Sequence, residues 1–195
     1  MKRLTFILIL FVLALGSASA QVERLQSGDL VFVRDTSGMG LAVQQTTGQY
    51  THVALVERSG DSLFIIDATQ KHGVARRPIE ETFAAHMSVD IYRLTIPFDT
   101  AAVIARAHSF LGQPYDDAFT HDNGALYCSE LIYECYLDSL GHHLFDAVPM
   151  NWRTPDGTIP AYWIDHFQRL KTPIPEGLPG TNPTGLSRSH LLRKR

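Results

Sequence analysis

Short runs rich in branched and aromatic apolar residues fill the first half of the chain: Gly28–Arg34, Tyr50–Glu57, Ser62–Ala68, Gly73–Arg77 and Val89–Leu94. Each is bounded by Gly, Asp, Ser or Pro, and each reads as a strand. Arg58-Ser59-Gly60-Asp61 between the second and third runs is a hairpin turn. The period then lengthens. Gly40–Thr46 reads as a short helix, and Pro78 opens another. Pro97–Leu111 is amphipathic, with Ala101, Ile104, Ala105, His108 and Leu111 on one side and Gly112 as its stop. A helix that begins at or just before Cys128 runs to Ser139 or Leu140 and ends at Gly141. Ala161–Leu170 is the last helix, and from Thr172 onward Pro and Gly dominate. The pattern predicts one α+β domain over 21–171 and an extended, coreless tail over 172–195.

The hairpin carries a positional argument. A two-residue loop at Ser59-Gly60, or a four-residue loop over Arg58–Asp61, sets Val56 opposite Leu63, Ala54 opposite Ile65 and His52 opposite Asp67. Cross-strand neighbours on one face have Cβ atoms roughly 5 Å apart, within reach of a carboxylate–imidazole hydrogen bond. A loop of three or five residues shifts the register by one and removes the pairing.

The ends of the chain change the picture more than its bulk composition does. Lys2-Arg3, an apolar stretch from Leu4 to Leu15, and Ala18-Ser19-Ala20 form an export signal with a cut before Gln21. No second long apolar run follows, so no integral membrane segment is expected in the mature chain. Without Lys2 and Arg3 the net charge is about −5. No basic face points to nucleic acid.

An exported protein usually pairs its cysteines, yet the two here, Cys128 and Cys135, lie seven apart in one predicted helix. Their Cα atoms would be about 10 Å apart, beyond the roughly 7 Å that a disulfide spans. Cys135 shares the face of Leu131 and Ile132 and reads as core. Cys128 at a helix start meets unpaired N–H groups and the positive dipole end, an environment that favours a thiolate. With His52 as base and Asp67 to orient it, Cys128 completes a nucleophile–base–acid set for acyl transfer through a thioester. The Cys128 N–H is one oxyanion donor, and Tyr115 or Tyr127 is a candidate for the second. The nine histidines form no HxH or HExxH spacing and there is no CxxC, so no metal or other cofactor is expected. His121-Asp122 reads as turn chemistry, and His142-His143 as a helix cap.

Gly28-Asp29-Leu30-Val31-Phe32, Thr51-His52-Val53-Ala54-Leu55-Val56, Gly112-Gln113-Pro114-Tyr115-Asp116 and Tyr127-Cys128-Ser129-Glu130-Leu131-Ile132 together resemble the YiiX/YebB-like group, the circularly permuted branch of the NlpC/P60 (papain-like) cysteine hydrolases. The histidine motif precedes the cysteine motif, as in that branch. The resemblance implies a permuted papain-like fold, an antiparallel sheet or small barrel packed on helices, with Cys128 as nucleophile and His52 as base. The third polar residue of the family stands where Asp67-Ala68 stands here, and an Asp in place of Glu is shorter by one methylene. It also implies an amidase or peptidase. The expected substrate is a peptide, a cell-wall stem peptide or another acyl-amine. The alternatives are a lipid-directed thiol acyltransferase or esterase on the same fold, and a binding module without catalysis.

Overall fold

The computed structural model describes residues 24–81 and 88–195. The export signal and the greater part of the helix expected after Pro78 lie outside these residues. What is described there is one 3-10 turn, Ile79–Glu81. Eight strands and five helices are described: β1 (Leu30–Arg34), α1 (Gly38–Thr47), β2 (His52–Ser59), β3 (Ser62–Thr69), β4 (Gly73–Pro78), β5 (Ser88–Leu94), α2 (Thr100–Ser109), α3 (Cys128–Cys135), β6 (Val148–Pro149), α4 (Ala161–Leu170), β7 (Pro179–Gly180), α5 (Pro183–Ser187) and β8 (Leu192–Lys194). Six strands form one sheet in the order β4-β3-β2-β1-β5-β8, antiparallel throughout.

The central strands are apolar on both faces because both faces are covered. Leu30, Phe32, Val53, Leu55 and Ile66 pack on the helix side against Val103, Ala107, Leu131, Ile132 and Cys135. On the other face Val31, Val33, Ala54, Val56, Ile65 and Ile91 meet Leu25 and Ile79. Burial of side chains such as Leu131 and Ile132, both at 0 % exposure, contributes about 1.5–3 kcal/mol each and holds α3 to the sheet. A third cluster, with Phe119, Tyr127, Trp152, Trp163 and Phe167, forms between α1, α4 and the start of α3.

Four expectations are corrected. The β2–β3 register has Ser59 opposite Ser62 and Val56 opposite Ile65, two residues away from the predicted one. Gly60, at φ +60°, takes the first loop position, where a primed turn needs positive φ. A shift of two preserves the face, so His52 and Asp67 stay on one side of the sheet as diagonal neighbours. Secondly, α3 stops at Cys135, with Tyr136 as its cap, because Tyr136 turns inward to hydrogen-bond the carbonyl of Gly28 (2.8 Å). Thirdly, α2 buries Val103 and Ala107 and packs Ile104 on the core as expected, but leaves Ala101, Ala105 and His108 outward, with Leu111 exposed beyond its end. His108 reaches across to the buried Glu57 of β2 at 2.9 Å.

The fourth correction concerns the tail, which is built into the domain. Its strand β8 pairs with β5, and β7 pairs with β6. Asn182 caps α5 by accepting from the Gly185 N–H at 2.7 Å, with Pro183 at the first helical position. Leu186 enters the main core, and the Thr184 hydroxyl accepts from the Tyr50 N–H at 3.0 Å. The prolines and glycines that suggested a coreless extended tail serve instead as caps and turns.

Candidate active site

Cys128 is the first residue of α3, preceded by Tyr127 in extended conformation (φ −93°, ψ 168°). The approach to this helix is held as a strand-like pair. Leu126 donates to Pro114 O (3.1 Å) and Asp116 N–H to Leu126 O (3.3 Å). The same 112–114 stretch is tied to β4, Val74 donating to Gln113 O at 2.8 Å and Gly112 to Val74 O at 2.9 Å. Gly73 permits this: it has φ +62°, and a Cβ there would lie 2.3 Å from Gln113 O. These contacts carry Tyr115 to the cleft beside Cys128.

His52 opens β2 opposite Val33. Its Nε2 hydrogen-bonds the Asp67 carboxylate at 2.8 Å, which leaves Nδ1 free, and the ring lines the same cleft as Cys128. Burial pushes the imidazole down, but the neighbouring Cys128 and the Asp67 carboxylate outweigh it and raise the pKa to about 10. Near neutral pH the ring holds a proton. Asp67 is 1 % exposed. Burial pushes its carboxyl up, yet the hydrogen bond and charge of His52, joined by Arg77, hold it below the usual carboxylate range.

Arg77 is the residue that sequence reasoning missed. Its Nη2 donates to both Asp67 oxygens (3.0 and 2.8 Å), and its Nη1 donates to Glu81 at 2.9 Å. It stands on β4 opposite Ile65, while Ala75 opposes Asp67, so it approaches Asp67 diagonally on the shared face. The signal was present in the alternation of β4, but it needed the β3–β4 register.

The two tyrosines separate. Tyr115 lines the cleft on both sides of Cys128. The Tyr127 hydroxyl instead accepts the Thr181 N–H at 3.1 Å. Its ring packs 5.3 Å from Phe119, so its evident work is to tie β7 to the start of α3. The Tyr127 hydroxyl, a candidate oxyanion donor from the sequence, thus has a backbone partner at Thr181.

Beneath Cys128 lies a second polar group. The Glu130 carboxylate oxygen accepts the Tyr127 N–H (3.3 Å) and its other oxygen lies 3.1 Å from His121 Nδ1. Burial pushes Glu130 up to about 8; the Tyr127 N–H opposes this and Asp116, Glu134 and Asp122 add to it. His121 is thus a partner of the helix start rather than simple turn chemistry. His143 stacks on Tyr133 (3.7 Å between rings) and bonds the Tyr133 carbonyl at 3.0 Å, capping the far end of α3 as expected. Cys135 is fully buried in the core and unbridged, and burial raises its thiol to about 12. Among the described residues no group of three or more His, Cys, Asp or Glu side chains is placed to hold a metal ion, and no helix is long and apolar enough to cross a membrane.

Comparison with known proteins bears on the fold and the family. The uncharacterized protein YiiX of Escherichia coli strain K12 is 26 % identical over 140 residues, covering 68 % of each chain. A crystal structure of YiiX from Escherichia coli O157:H7, described as a metalloprotein, superposes with a TM-score of 0.73 at 21 % identity, covering 87 % of this chain and 96 % of that one. Residues 24–194 match the permuted papain-like amidase family YaeF/YiiX (C92), and the chain belongs to that family.

Proposed function

We propose that this protein is a cysteine hydrolase that cleaves an amide, with Cys128 as nucleophile, His52 as base and acid, and Asp67 as the group that orients His52. The observation that carries the reading is the 2.8 Å His52–Asp67 hydrogen bond beside a cysteine at the first position of a helix. In the reaction the proton of Cys128 is already on His52, and the Cys128 sulfur bonds to the carbonyl carbon. The carbonyl oxygen, now an oxyanion, meets the Cys128 N–H and the helix dipole, with the Tyr115 hydroxyl as second donor. The C–N bond then breaks, the amine leaves with the proton from His52, and a thioester remains. Water attacks the thioester carbon and gives a proton to His52. The C–S bond breaks, the acid departs, and the proton taken from water stays on His52, which restores the starting state.

The YiiX structure is described as a metalloprotein. Here the His52 Nε2 is committed to Asp67, and both Asp67 oxygens also accept from Arg77, so these side chains do not fit a metal and no step passes through one. The substrates in view are a cell-wall stem peptide or another acyl-amine, met outside the cytoplasm after removal of residues 1–20. N-terminal sequencing of the exported protein is expected to begin at Gln21.

Competitive alkylation tests the central claim. Iodoacetamide at neutral pH is expected to label Cys128 and spare Cys135, and His52→Ala to remove that selectivity. Equal labelling of the two thiols, appearing only at alkaline pH, would defeat the activated-nucleophile reading. Mass spectrometry of products from muropeptides and from simple N-acyl amines then identifies the bond cleaved.

A further inference from the structure

The cleft at Cys128 has two arms, and they differ in chemistry. Cys128 and Tyr115 line both. His52, Asp67, Lys71, Arg77 and Glu81 line the larger arm, of about 440 Å³, and none of them lines the smaller one. In amide cleavage the departing amine takes its proton from His52, so it leaves on the side that His52 lines. The acyl half, bonded to sulfur in the thioester, is directed to the other arm.

That second arm is narrow, about 70 Å³, and no charged side chain lines it. Its apolar wall includes Val43, Phe119, Val148, Met150 and Trp163. A water-sized sphere requires roughly 10–15 Å³ by the same measure, so the arm has room for roughly five to seven heavy atoms in a row. Three residues of its lining also carry buried polar atoms with no partner: Ser129 Oγ, Trp152 Nε1 and Thr181 Oγ1. They are three of the five such atoms among the described residues. All three residues are more than nine-tenths buried. The indole N–H can only donate, and a buried donor left unmet costs about 1–3 kcal/mol.

We propose that this arm is the acyl subsite, and that it takes an acyl group of roughly six heavy atoms, apolar in body and carrying one hydrogen-bond acceptor. The inference rests on the reading of Cys128 as nucleophile. A long hydrocarbon tail overfills the arm and leaves Trp152 Nε1 unmet. A carboxylate-bearing acyl group would enter an arm without a cation.

The probes are 1-chloro-2-alkanones, whose alkyl chain sits on the acyl side of the ketone. The Cys128 sulfur bonds to the chloromethyl carbon as chloride leaves, and mass spectrometry reads the rate at each cysteine. The rate at Cys128 is expected to rise about tenfold from chloroacetone to a chain of roughly six atoms and to fall for chains twice that length. In a series with one methylene replaced by an ether oxygen, one position is expected to react about fivefold faster than its all-carbon isostere. Thr181→Val, nearly isosteric, or Trp152→Phe is expected to reduce that advantage, and Val43→Phe to move the optimum to shorter chains.

A flat length profile, with chloroacetone still selective for Cys128 over Cys135, overturns the acyl subsite and leaves the nucleophile standing. A rate that climbs steadily with chain length, or an ether series with no preferred position, also overturns it. If no reagent distinguishes Cys128, the nucleophile reading fails. The arm is then judged by titrating the corresponding methyl ketones into the Cys128→Ser protein, where absence of length-dependent binding overturns it.

Discussion

Removal of the Arg77 side chain is the sharpest probe of the network behind His52. Asp67 is a buried carboxylate at 1 % exposure with two partners, His52 Nε2 at 2.8 Å and Arg77 Nη2 at 2.8 and 3.0 Å. Arg77→Ala leaves one. Stripping a partner from a buried pair costs about 3–5 kcal/mol, and a hydrogen bond to a charged group is worth about 1.5–3 kcal/mol. The Arg77 side chain is 19 % exposed and His52 stays in place, so the lower end applies, about 3 kcal/mol. For a chain of this length that lowers Tm by roughly 6–12 °C. Arg77→Lys keeps the charge without the planar fork and should fall between.

The pH dependence adds a sign. Asp67 has a folded pKa below its ordinary 3.8. Its contribution is therefore complete above 3.8 and is lost as pH falls through the lower folded value. The gap between wild type and Arg77→Ala should hold at pH 7 and close in strong acid. Urea unfolding followed by circular dichroism at both pH values measures it. A gap under about 1 kcal/mol at pH 7, the size of an exposed ion pair, would refute the buried-pair reasoning.

Two further perturbations test other parts of the structure. Glu130 has a folded pKa near 8 against 4.5 unfolded, so the fold prefers its neutral form, and stability should fall as pH rises from about 4.5 to 8. Glu130→Gln, which keeps an acceptor for the Tyr127 N–H, should flatten that slope and be the more stable protein at pH 9 by about 5 kcal/mol; parallel slopes in a pH series of urea melts count against it. Leu186→Ala in the tail should cost about 2–5 kcal/mol, as for any buried leucine, whereas a value near zero by the same melts would mean that the tail does not share the core.

Most of the site could be read from the residues because it depends on parity and on one helix start. The start at Cys128 follows from the small polar segment before it and the helical spacing after it. His52 and Asp67 share a face whenever the loop holds an even number of residues, so the predicted pairing survived a register that was two residues off. Loop position depends on which residue adopts positive φ, and one glycine among several polar neighbours leaves that open. Arg77 was hidden for a different reason. An arginine on a strand reads as solvent-facing until the pairing of β3 with β4 places it diagonally from a buried carboxylate. The tail was misread because composition counts Pro183 and Gly185 as breakers, while in the fold one starts a helix and the other donates to its cap. Its burial depends on Tyr50 and the main core, contacts more than a hundred residues away that no local pattern encodes.

The place of Gly180, Thr181 and Pro183 on the wall of the apolar arm has a consequence in time. A chain is made from its N-terminus, so His52 and Asp67 emerge first, Cys128 later, and this wall last. Contacts of such long sequence separation also close late in folding. His52, Asp67 and Cys128 can all be present in a growing chain before the wall that Gly180, Thr181 and Pro183 supply, and the arm is complete only when the last part of the domain has arrived. Assembly in that order makes the thiol older than the apolar surface beside it.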